Sequence, residues 1–153
     1  MDRIAKFEKV SAKQFENPEL VKLPVRATAG SAGYDICTPY AISLKPGETI
    51  TVKTGLRCKI EDGWVLFILP KSGLGFKFRV QLDNTVGVID SDYYNAENEG
   101  HIMVKITNDG HEGKTMEVEA GKAFAQGVFL PYGITIDDEA SGARLGGFGS
   151  TNA

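Results

Sequence analysis

The sequence predicts an all-β domain. Apolar and polar residues alternate with a period of two over most of the chain, and Gly, Asn, Asp and Pro separate the alternating runs. No window of a dozen residues sustains a 3.6-residue period. Short strands at this spacing assemble as a sandwich, jelly roll or barrel rather than as alternating βα units.

From residues 34 to 44 the even positions carry Tyr34, Ile36, Tyr40, Ile42 and Leu44, and the odd ones carry Asp35, Cys37, Pro39, Ala41 and Ser43, which reads as a half-buried strand. A Lys-Pro-Gly-Glu turn at 45–48 leads into the next, with Ile50, Val52, Leu56, Cys58 and Ile60 on one face and Lys53, Arg57 and Lys59 on the other. The continuous apolar run Trp64 to Leu69, stopped by Pro70, is too short for a helix and suits a strand covered on both faces. Ser72 to Phe78 allows a short helix or turn. Further strands are expected over Val80 to Val88, Ile102 to Thr107, Thr115 to Glu119 and Phe124 to Leu130. In the last of these Gln126 shares the even-numbered face with Phe124, Val128 and Leu130, so its amide needs a partner if buried.

After Asp137 the alternation stops, and the Gly-rich tail holds too little apolar surface to order itself. The chain therefore divides into one barrel domain, residues 1–139, and a mobile arm, residues 140–153, that settles on a ligand or neighbour. A net charge of −3 argues against a non-specific nucleic-acid binder, whose affinity comes from a basic surface. No apolar run approaches the ~20 residues of a membrane span, and the N-terminus lacks the apolar stretch of a secretory signal, so an intracellular, cytoplasmic location is expected. The two cysteines, Cys37 and Cys58, are read as reduced.

Five segments carry chemistry, and each also has a plain reading. Ala32-Gly33-Tyr34-Asp35 is a turn into a strand, with an acidic side chain at its start. Pro70-Lys71-Ser72-Gly73 ends a strand, and its ammonium, hydroxyl and bare backbone N–H suit a phosphate. In Gly87-Val88-Ile89-Asp90-Ser91-Asp92-Tyr93 a strand runs into two carboxylates and an aromatic ring, which is either an acidic hairpin tip or a place to orient a water and take its proton. Ala125-Gln126 supplies the polar side chain in the last strand. Gly146-Gly147-Phe148-Gly149-Ser150-Thr151 sets one aromatic among glycines, followed by two hydroxyls, as an arm needs to stack on a base and close on phosphates; Arg144 lies just upstream.

In this order, from about Ala32 to Thr151, the five segments resemble the five motifs of the trimeric dUTP pyrophosphatase family. The resemblance implies a jelly-roll-like barrel, a homotrimer whose three active sites each draw on all three chains, dUTP as substrate and Mg²⁺ as cofactor. It implies that Asp90 is the catalytic base directing water at the α-phosphorus. The hairpin from Asn84 through Gly87, Val88 and Ile89 would hold uracil by backbone groups, and the Tyr93 ring would fill the space of a ribose 2′-hydroxyl. Lys71, Ser72 and Gly73 would bind phosphates. Asp35 would support the water shell of a metal held mainly by the triphosphate, and Gln126 would bond the α-phosphate region or the attacking water. Arg144, Phe148, Gly149, Ser150 and Thr151 would arrive on the arm, with Phe148 over the uracil and the hydroxyls on the γ-phosphate.

The chain departs from the family pattern in four places. Lys71 stands where Arg is commonest, Arg144 lies one residue nearer the Gly-Gly-Phe run than usual, and Asn152 replaces a usual Gly. After Tyr93 a longer Tyr-Asn-Ala-Glu-Asn-Glu-Gly replaces a short turn, and its Glu97 and Glu99 are expected in solvent. A related dCTP deaminase, or a bifunctional relative, is the nearest alternative, but Lys105 falls where the deaminating carboxylate of those enzymes would lie. His101 and His111 lack zinc-site spacing with the cysteines. A protein-binding module on the same fold, contacting a regulatory partner through the Glu97 to Glu99 segment or the arm, is a second alternative without positive support in the sequence.

Overall fold

The computed structural model describes residues 1–147. Eleven strands and one short helix appear in the order β1 (Ala5–Lys9), β2 (Val25–Arg26), β3 (Tyr34–Cys37), β4 (Ile42–Leu44), β5 (Thr49–Ile60), β6 (Trp64–Pro70), α1 (Ser72–Phe78), β7 (Val80–Leu82), β8 (Gly87–Ile89), β9 (Ile102–Asn108), β10 (Met116–Val118) and β11 (Ala123–Pro131). They form a jelly-roll-like β fold from three sheets, ordered β1-β5-β9-β7, β2-β3-β11-β6-β8 and β10-β4. Every pairing is antiparallel. One core cluster draws on all three sheets, with Val52, Leu56 and Ile106 from the first, Ile36, Leu66, Ile68 and Phe124 from the second, and Ile42, Leu44 and Met116 from the third. Full burial of each such side chain contributes about 1.5–3 kcal/mol, so this cluster is the main favourable term in folding. Among the described residues no helix is long and apolar enough to cross a membrane.

The predicted strand over 34–44 is two strands in different sheets, because Pro39 lacks the N–H a ladder needs and Thr38 caps the break by donating to the Tyr40 carbonyl at 2.7 Å. The predicted strand Val80 to Val88 is likewise split: Thr85 takes a positive φ of 70°, and its amide bonds back to Leu82. β6 has one buried face in Leu66 and Ile68, but on the other only Val65 is buried, while Phe67 and Leu69 are half-exposed, so it is not covered on both faces within one chain. An N-terminal strand, β1, escapes sequence reading because of its mostly charged side chains. It closes the edge of β5, and those charges suit an edge that must resist further pairing.

The last strand holds a consequential correction. A bulge at Phe124, where Ala123 pairs Cys37 and Ala125 pairs the adjacent Ile36, reverses the alternation. Phe124, Ala125 and Gly127 are buried, and Gln126 turns away from the core instead of lying on one face with Phe124.

Candidate active site

β8 ends at Ile89, and Asp90 begins a tight 3₁₀ turn, Ser91–Asn95, in extended conformation (φ −78°, ψ 155°). Its carboxylate makes no capping bond to that turn and stands at the mouth of a cavity of about 280 Å³. That volume is at the small end for small-molecule sites, roughly 300–1,000 Å³. Asn84, Gly87, Val88, Ile89, Asp90 and Tyr93, all anticipated from the sequence, line it. Gly87 faces Ile68 on β6, where a Cβ would stand 2.9 Å from the Ile68 Cβ; only glycine lets the hairpin backbone lie this close.

Tyr93 is buried, and its phenol is held at both functions. The O–H donates to the His101 carbonyl at 2.7 Å, and the oxygen accepts from Asn98 Nδ2 at 2.8 Å. Burial first, opposed by Asn98 and Arg144, pushes this phenol above its ordinary pKa. His101 is itself buried, and its Nε2 accepts the Gly55 N–H at 2.9 Å, which fixes the neutral ring. Glu99, expected in solvent, is only partly exposed and is bonded. Its carboxylate accepts from the Ser11 amide at 2.9 Å and hydroxyl at 2.5 Å, and these bonds hold it below the usual carboxylate range. Glu97 is exposed, while its backbone N–H bonds the Leu145 carbonyl at 3.0 Å.

That last bond brings the chain's own arm to the hairpin. Arg144 donates through Nη2 to Asp90 at 2.5 Å and through Nε to Asp92 at 2.7 Å, and its guanidinium lies 5.9 Å from the Tyr93 ring centroid. Asp92, then Asp90, raises the Arg144 pKa against its desolvation. Gly147 rests on the edge of Tyr93, where a Cβ would come within 2.5 Å of Cε1. Phe148, Gly149, Ser150 and Thr151 lie outside the described residues.

A second cluster forms where β3, β6 and β11 meet. Asp35 and Gln126 are register partners, Lys71 forms an ion pair with Asp35, and Gln126 donates to the Pro70 carbonyl at 3.0 Å. Gly33 lies directly under the Gln126 amide, leaving no space there for a Cβ. Ser72 and Gly73 follow in the exposed first turn of α1, whose leading amides have no intrahelical acceptor.

The two clusters sit at opposite ends of β6. Ile89 pairs with Leu66, which sets Asp90 level with Val65; Lys71 is six residues further along, from 65 to 71. At ~3.3 Å per residue the separation is roughly 20 Å. Among the described residues no group of three or more His, Cys, Asp or Glu side chains is arranged to hold a metal ion.

Sequence reading missed Ile68, Leu82, Met103 and Val104, which line the cavity as ordinary strand residues. It also missed Asn98 and His101, whose contacts with Tyr93 arise only once the turn closes. Lys105, the residue that speaks against a deaminase, lies exposed on β9 with its ammonium 3.6 Å from Asp83.

Comparison with known proteins points one way. The family model for dUTPase matches residues 19–152. The deoxyuridine 5'-triphosphate nucleotidohydrolase of Pectobacterium carotovorum is 45% identical over 135 residues, covering 83% of this chain and 84% of that protein. The protein of the same name from Lactococcus lactis is 40% identical over 136 residues, covering 87% and 89%. The crystal structure of dUTPase from Streptococcus mutans superimposes with a TM-score of 0.70 at 38% identity, covering 86% of this chain and 98% of that one. Motif order, fold and kinship agree, and the chain belongs to the dUTPase family, enzymes that hydrolyse dUTP.

Proposed function

We propose that Asp90 activates the water that attacks the α-phosphorus of dUTP, in a site assembled from three copies of the chain. The position of Asp90 carries this reading: a half-exposed carboxylate, unused by the turn it starts, at the mouth of a cavity formed by hairpin backbone and Tyr93. The carboxylate takes a proton from water as the new bond forms between water oxygen and the α-phosphorus. The bond to the oxygen bridging the α- and β-phosphates breaks, and pyrophosphate leaves with that electron pair. The other product, dUMP, supplies dTMP synthesis, and removal of dUTP limits uracil incorporation into DNA; both uses suit a cytoplasmic enzyme.

The ~20 Å between Asp90 and Lys71 within one chain supports a shared site, because one triphosphate cannot touch both. Lys71, Ser72, Gly73 and Gln126 would bind the phosphates from one subunit, and Asp90 and Tyr93 would act from another. The arm, with Arg144 and residues 148–151, would close from a third, its guanidinium leaving Asp90 of its own chain for the anionic substrate in a neighbouring site. Exposed apolar side chains at Ile134 (74%) and Ile136 (108%) favour self-association, since burying them removes apolar surface from water, and the resemblance makes that assembly a homotrimer. The ion would enter with the triphosphate and be held mainly by its oxygens, with Asp35 at its water shell. Bound there, Mg²⁺ would neutralise charge on the phosphate oxygens.

The reading is tested by giving the purified protein dUTP, dCTP, dTTP and UTP with Mg²⁺ and measuring pyrophosphate and ammonia. Pyrophosphate from dUTP, little from the others and no ammonia is the expected result. Ammonia from dCTP would establish the deaminase instead, and a folded sample that releases no pyrophosphate would refute hydrolysis.

A further inference from the structure

We propose that Asn98 is a positioning residue that sets the Tyr93 ring for discrimination against ribonucleotides. The inference rests on the reading of Tyr93 as the residue filling the 2′-hydroxyl space, and extends it to the segment after the hairpin. That segment, residues 94–100, folds back beneath Tyr93. Asn98 spends its two functions separately: Oδ1 accepts the Gly100 N–H at 3.1 Å, and Nδ2 donates to the Tyr93 phenol oxygen at 2.8 Å. The first bond fixes which end of the amide faces the phenol. With its acceptor side used by Asn98, the Tyr93 O–H is directed at the His101 carbonyl, 2.7 Å away.

The return that makes this possible depends on Gly100. Its φ is +70°, and a Cβ there would stand 2.6 Å from the Tyr93 carbonyl oxygen and 2.8 Å from the Tyr94 Cα, both backbone atoms that cannot give way. The segment is anchored at its far side as well. Arg57 donates to the Tyr94 carbonyl at 2.6 Å and lies 3.6 Å from the Tyr94 ring centroid, the Tyr94 hydroxyl donates to Glu8 at 2.5 Å, and Glu99 accepts from Ser11. A ring that excludes one hydroxyl must resist a displacement of about an ångström, and a segment pinned at Glu8, Ser11 and Arg57 gives Asn98 a fixed base from which to hold it.

The experiment measures kcat and KM for dUTP and for UTP in Asn98→Ala, Asn98→Ser, Tyr93→Ala, Tyr93→Phe and the Asn98→Ala/Tyr93→Phe pair. Serine still accepts the Gly100 N–H but is too short to reach the phenol, which separates the turn from the contact. In both Asn98 variants the ratio of kcat/KM for dUTP over UTP is expected to fall about fivefold, the loss of one ordinary hydrogen bond, mainly through a lower KM for UTP. Once Tyr93→Phe has removed the phenol, Asn98→Ala is expected to change the ratio no further. An unchanged ratio in Asn98→Ser, or an equal drop in the Tyr93→Phe background, overturns the role of Asn98 when Tyr93→Ala abolishes discrimination. If Tyr93→Ala itself leaves the ratio intact, the reading of Tyr93 falls and the proposal falls with it.

Discussion

Asp90 and His101 illustrate two settings for a polar side chain, one exposed and paired with Arg144, the other enclosed and neutral. Asp90→Asn keeps the shape of the carboxylate but cannot take a proton. Turnover of dUTP is therefore expected to fall by ~10²-fold or more while a non-hydrolysable dUTP analogue still binds, measured by steady-state kinetics beside a binding titration. Near-normal turnover would remove Asp90 from the role of base. His101 shows itself in stability. Burial first, then the nearby Lys53 charge, lowers its pKa from the ordinary 6.5, with Glu99 opposing. The unfolded chain thus takes up a proton near pH 6.5 that the folded chain refuses, so stability falls as pH drops through and below that value. Urea midpoints are expected to decline from pH 7 to 5 in the wild type, and this decline should flatten in His101→Gln; parallel curves would contradict it. Asp90 and Tyr93 were legible in the sequence because their motif is one continuous string. Asn98 and His101 were not, because an Asn in a turn and a His before a strand have no pattern until the fold brings them to one phenol.

At the scale of elements, strand existence was legible and strand continuity was not. Alternation located Ile36, Ile42 and Leu44 on a buried face correctly, yet the break at Pro39 sends β3 and β4 to different sheets. A bulge is still less visible, since Phe124, Ala125 and Gln126 read as ordinary alternation, and the extra residue is known only from its partners on β3. That bulge delivers Gln126 to the cluster with Asp35 and Lys71. Gly33 beneath it gives a test. In Gly33→Ala the new methyl meets the flexible end of the Gln126 side chain, which swings away at little cost to stability but leaves the Pro70 carbonyl. We expect a melting temperature within a few degrees of wild type and kcat reduced roughly tenfold or more, a size ordinary for a misplaced catalytic contact. Full activity would show that the amide's position is immaterial.

For the whole molecule, the decisive relation is between β6 and its neighbours. β11 joins it along its whole length and β8 only at Leu66 to Ile68, so the two parts of the candidate site are carried at opposite ends of one strand. The family resemblance implied sharing between chains, whereas the register gives a physical reason that no period or motif in the sequence contains. The half-exposed outer face of β6 and the bare Ile134 and Ile136 are apolar surfaces that the proposed association would cover. The most direct measurement mixes two inactive variants, Asp90→Asn and Lys71→Ala, exchanges their subunits under mild denaturant, and assays dUTP hydrolysis once mass measurement shows mixed trimers. A site drawing Asp90 from one chain and Lys71 from another predicts recovered activity in the mixture and none in a chain carrying both substitutions. Mixed trimers that stay as inactive as either parent would contradict the shared site.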